Sequence, residues 1–198
     1  MTLWLRARAV WALVLGAVAS LAVTVLPISG LTVTPSPAGA TLALAVLVGL
    51  LEPIALGWAM NRGDQRAEFI SPRRIWLWDL LLVLGFGCGV AMAELGLRLS
   101  GLAPAGGIAA RATATFLGLM LMSQPIAGWR TASVAPVIAF VAVVIVGRGE
   151  DIAHPAPWAW IAASEDDVVA ALLSLFVLAL GSVIAVMRRP TAPLGDEG

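Results

Sequence analysis

Val168-Val-Ala-Ala-Leu-Leu-Ser-Leu-Phe-Val-Leu-Ala-Leu-Gly-Ser-Val-Ile-Ala-Val-Met187 runs for twenty residues without one ionisable side chain. A helix of roughly 20 apolar residues matches the hydrocarbon thickness of a bilayer, about 30 Å. Ser164-Glu165-Asp166-Asp167 stands before this stretch and Arg188-Arg189 directly after it. Ser164 fits a helix cap, and the three carboxylates face the positive end of the helix dipole. The segment therefore predicts a transmembrane helix.

Five further apolar stretches precede it, giving spans at about 9–28, 40–60, 75–97, 108–127, 132–146 and 168–187. The first follows the basic opening of Arg6 and Arg8, as a signal peptide would. Leu26-Pro27-Ile28 occupies the place of a cleavage site, so an uncleaved first span is expected. Pro-containing Ser29–Gly39 is a short loop, and Ser71-Pro72 caps the third span. Gly128-Trp129-Arg130 is a tight turn, Pro125 and Pro136 mark kinks or helix ends, and residues 188–198 form a tail. The expected fold class is all-α: one polytopic membrane helix bundle of six transmembrane helices.

Composition agrees. Of 198 residues, 60% are hydrophobic and 12% charged, against about 25% charged in a soluble domain. So few charges cannot cover a water-facing surface. Net charge is zero, which gives no reason to expect nucleic acid as a partner.

Orientation follows from arginine, since cytoplasmic loops carry the excess of basic residues. With the N-terminus inside, Arg6, Arg8, Arg62, Arg66, Arg73, Arg74, Arg130, Arg188 and Arg189 are inner, and only Arg98, Arg111 and Arg148 are outer. Both termini are thus expected in the cytoplasm of a bacterial cell. Trp4, Trp11, Trp58, Trp76, Trp78 and Trp129 fall near inner ends, and Trp158 and Trp160 in the outer connection. That is where indole prefers to sit. The apolar Trp-rich stretch at 154–164 is too short to span and reads as an outer interfacial or re-entrant segment.

Several chemistries lack their residues. The chain has no Lys, so it has neither a P-loop lysine nor a Schiff-base amine. Its one Cys (Cys88) and one His (His154) build no disulfide, zinc or haem site. Neither Gly-x-Ser-x-Gly nor His-Glu-x-x-His occurs. No catalytic residue, cofactor or metal is expected, and the chain is not expected to be an enzyme.

Ionisable groups inside spans are costly, and they mark candidate functional sites. Glu52 lies deep in the second span and is followed by Pro53, which removes a backbone donor and predicts a kink. Asp79, one turn into the third span, reads either as functional or as an ordinary interfacial charge. Glu94 precedes Arg98 by four residues, the favoured order for a local ion pair. Gly85 and Gly89, continued by Ala93, form a small-residue face suited to tight helix packing or a dimer.

The layout resembles the permease subunits of type-2 ATP-binding-cassette transporters, mostly exporters, and the texture of small actinobacterial membrane proteins of that kind. Trp4–Trp11 matches an amphipathic interfacial start, Arg62–Phe69 a cytoplasmic loop that docks on the ATPase, and 154–164 an outer re-entrant region. The resemblance implies an ATPase-docking loop at Arg62, Asp64, Arg66 and Glu68. It also implies a separate ATP-binding subunit and a second permease subunit, with the lipid bilayer as surroundings. Amphipathic or lipid-like cargo would move by alternating access. Two alternatives remain: a non-transporting assembly or immunity partner, and an ion-coupled carrier using Glu52.

Overall fold

The computed structural model describes residues 10–26, 32–33, 42–61, 75–147, 156–164 and 166–187. Its helices are α1 (Val10–Val25), α2 (Leu44–Val48), α3 (Leu51–Met60), α4 (Ile75–Leu99), α5 (Gly106–Ala132), α6 (Val134–Val146) and α7 (Val168–Met187). A 3-10 stretch, Pro157–Ala162, lies between α6 and α7. The linker expected to be a plain loop instead carries a two-residue antiparallel pair, Thr32–Val33 with Leu42–Ala43. The helical part of the second span consequently begins at Leu44 rather than at residue 40. Apart from that pair, the regular structure among the described residues is helical.

Three helical segments are long and apolar enough to cross a membrane: Leu77–Leu99, Gly106–Ala132 and Val168–Met187. Shorter apolar helices occupy Trp11–Val25, Leu44–Met60 and Val134–Val146. The middle one of these is interrupted at Gly49–Leu50, one turn before Pro53. Pro53 has no N–H to give the Gly49 carbonyl, so the hydrogen-bond ladder lapses there. Leu50 stays in the right-handed helical region, and the interruption is local. Gly128 adopts φ 73° inside α5, a conformation that favours glycine, and this is the tight turn expected at Gly128-Trp129-Arg130. Pro136 sits in the first turn of α6, where a missing N–H costs no helical bond.

The core is built around α5. Of its apolar window 67% is buried, against 28% for Leu77–Leu99 and 22% for Val168–Met187. One apolar cluster gathers Leu13, Leu56, Met60, Val83, Leu117, Met120 and Ala185. A second joins Val46, Phe116 and Val143 to Ala159 and Ile161 of the 3-10 stretch. The buried face of α7 is Ala170, Ser174, Gly181 and Ala185, while Leu172, Leu175, Phe176 and Val183 are exposed. Small residues inside and large apolar ones outside is the pattern of a helix packed in lipid, where close backbone approach holds neighbours together.

The closest crossing is α5 with α7. A Cβ on Gly181 would overlap the Gly118 carbonyl, and one on Gly118 would stand 2.6 Å from the Val177 carbonyl oxygen. Within the chain, close packing falls here and not on the Gly85–Gly89 face. Gly85 and Gly89 have nothing within 4 Å and both lie exposed, with Ala93 half-buried. Along α4 it is Gly87 that meets a neighbour, Leu117.

Candidate functional site

The buried stripe of α4 runs Asp79, Val83, Gly87, Val90, Glu94, the spacing of one helix face. It carries Glu94 fully into the bundle. There the carboxylate accepts a hydrogen bond from the Ser20 hydroxyl of α1 at 2.8 Å. It accepts a second, at 3.3 Å, from the Thr113 hydroxyl of α5. The local ion pair expected with Arg98 therefore gives way: Glu94 is claimed by hydroxyls of two other helices. The Arg98 guanidinium reaches Asp166 at 3.0 Å instead.

Glu52 is also fully buried. Among the described residues neither of its carboxylate oxygens has a hydrogen-bond partner. The close fit of the surrounding helices positions it. A Cβ on Gly49, one turn before Glu52, would stand 2.7 Å from the Ala112 Cβ and 2.9 Å from the Thr113 nitrogen. One on Gly16, a turn before Ser20, would stand 3.1 Å from the Ala55 Cβ, one turn after Glu52. The turn that carries Glu52 packs on the same stretch of α5 whose Thr113 hydroxyl holds Glu94. Two carboxylates and two hydroxyls, from four helices, thus converge within the bundle.

Asp79, the third intramembrane candidate, is 3% exposed. It turns inward and is not an exposed interfacial charge, and it lies at the opposite end of α4 from Glu94. The proposed ATPase-docking residues Arg62, Asp64, Arg66 and Glu68 fall outside the described residues, as do Trp4, His154 and the tail. No group of three or more His, Cys, Asp or Glu side chains among the described residues is placed to hold a metal ion.

At the far end of the bundle, Arg111 is 6% exposed. It donates to the Ser164 carbonyl at 2.8 Å and to the Ala163 carbonyl. With Arg98 on Asp166, both arginines grip the segment leading into α7. The cap of α7 differs from expectation: Asp167 accepts from the Ala170 N–H at 3.0 Å. Ser164 contributes its carbonyl, which accepts from the Asp167 N–H at 3.2 Å. Trp11 and Trp58 meet edge to face, ring centres 5.8 Å apart, so the start of α1 and the end of α3 share one end of the bundle.

Ser20, Thr113 and Arg111 were not singled out as site residues by sequence reasoning. A hydroxyl in an apolar span is often satisfied by its own helix, as Ser174 is by the Ala170 carbonyl at 2.8 Å. Nothing local distinguishes Ser20 from it. The signal available was the coincidence of three spans each carrying an isolated polar residue, which becomes a cluster once the helices are assembled. No protein-family profile matches the chain, and neither a curated protein nor a solved structure shows detectable similarity to it.

Proposed function

We propose that the chain is the membrane-spanning permease subunit of an ATP-binding-cassette exporter, in a bacterial cell membrane. On this reading it has six spans with both termini cytoplasmic. A separate ATPase docks on Arg62–Phe69, and its closure rocks the helices to move amphipathic or lipid-like cargo. One observation carries the reading. The 3-10 stretch Pro157–Ala162 folds back against the bundle between α6 and α7, with Ala159 and Ile161 buried. Arg111 holds the backbone that follows it. A re-entrant piece at that position is what the resemblance to type-2 permeases implies. The test is charge reversal at Arg62 and Arg66 in cells expressing the whole transporter. Efflux should be lost while the chain still inserts and folds normally. Unchanged efflux removes the reading.

A second reading, a non-transporting assembly partner, is favoured by the open face of α4, where Gly85 and Gly89 touch nothing within the chain. Replacing both with Leu should then destroy complex formation in a pull-down, whereas the loop reversals should leave it intact.

A further inference from the structure

We propose that Glu52, Glu94, Ser20 and Thr113 form a binding site for a monovalent cation within the helix bundle. The site goes beyond the permease reading and does not depend on a docked ATPase. Glu52 and Glu94 are both fully buried, and burying a carboxylate without a compensating charge or hydrogen bonds is among the costliest arrangements in a protein. Glu94 is partly relieved by two hydroxyls. Glu52 has no such relief, since both its oxygens lack a partner among the described residues.

The fixed cations described nearby are directed elsewhere. Arg98 faces Asp166, and Arg111 faces the Ala163 and Ser164 carbonyls. Helices α1, α2, α6 and α7 carry no charged side chain, and Glu52 is the one charged group of α3. On α4 the other titratable groups are Asp79, about four turns away along the same face, and Cys88, which is exposed. On α5 the remaining one is Arg130, beyond the Gly128 turn at the other end of the helix. Among the described residues no cationic side chain pairs with either carboxylate, which leaves the place open to an exchangeable one.

The donors are all oxygen, which suits a hard cation. Two carboxyl groups sharing one apolar site do not both ionise readily, so the pair offers one negative charge, which matches one positive charge rather than a caged divalent ion. Pro53 adds to the set: because it cannot donate to the Gly49 carbonyl, another oxygen acceptor stands one turn from Glu52. A sodium ion and a proton share this chemistry, each supplying one positive charge to the same pair. Because the ligands come from α1, α3, α4 and α5, occupancy ties those helices together.

The test is thermal unfolding of the purified full chain in detergent, followed by tryptophan fluorescence. Sodium chloride is titrated against choline chloride at constant ionic strength, and pH is lowered separately. Binding to the folded state raises the melting temperature, here by roughly 5 °C at saturation. Glu52→Gln and, independently, Glu94→Gln should abolish the response. Ser20→Ala should weaken it, and Asp166→Asn, at the ion pair with Arg98, should retain it. A response to sodium identifies an alkali cation, and a response to acid alone, lost in Glu52→Gln, identifies a proton. A wild-type chain indifferent to both, or a response undiminished in both Gln variants, overturns the proposal.

Discussion

A methyl group added at Gly181 would overlap the carbonyl of Gly118, and the backbone on the other side cannot yield as a side chain would. Gly181→Ala should therefore push α5 and α7 apart and cost about 1–3 kcal/mol, the usual penalty for overpacking. Gly85→Ala meets nothing within 4 Å, so it should be neutral or stabilise by up to about 1 kcal/mol through helix propensity. Thermal unfolding of the two variants side by side separates them; equal melting temperatures would refute the assigned crossing. Thr113→Val keeps the shape of the side chain but removes its hydroxyl from Glu94. Leaving that acceptor short of a donor should cost about 1–3 kcal/mol, read as a lower midpoint in the same assay.

At the scale of elements, Arg111 ties the 3-10 stretch to the bundle. Its guanidinium on the Ala163 and Ser164 carbonyls fixes the chain just after Pro157–Ala162 and just before the Asp167 cap of α7. Arg111→Met should leave α7 helical, because the Asp167 cap and its packing on α5 remain. The amides of Trp158–Ala163 should exchange faster with solvent deuterium, by about tenfold if 1.4 kcal/mol of local stability is lost. Unchanged exchange there, in a folded variant, would show that burial of Ala159 and Ile161 suffices. The pair Arg98–Asp166 has a different weight. Asp166 is 86% exposed, and an ion pair so open to water contributes at most about 1 kcal/mol.

For the whole molecule, the distribution of large and small residues matters more than any contact. The exposed faces of α1, α6 and α7 are lined with Val14, Leu15, Ile138, Ile145, Leu172 and Phe176, a surface that water does not tolerate at this extent. The proposed topology then makes a sharp demand. Cysteines placed one at a time at Gln65 and Ile152, in a Cys88→Ser background, should differ when intact cells meet a membrane-impermeant thiol reagent. Position 152 should label and position 65 should not. The reverse result turns the map over and removes the proposed ATPase dock.

Three helices long and apolar enough to cross a membrane were readable in one dimension, because a bilayer imposes a length and a hydropathy that a run such as Val168–Met187 satisfies by itself. The helix at Val168–Met187 matches its expected bounds, the turn falls at Gly128, and the interruption before Pro53 follows from a missing N–H. Which side of each helix faces inward was not readable. In water a helix announces its buried face by polarity, but in lipid both faces are apolar and only side-chain size distinguishes them. Gly85 and Gly89 therefore read as a packing face, and it took the assembled helices to show that Gly118 and Gly181 make the close crossing within the chain. The same holds for the acidic cluster. Glu52 and Glu94 were visible as costly residues, but Ser20 and Glu94 are 74 positions apart, and their meeting depends on how the helices pack in three dimensions.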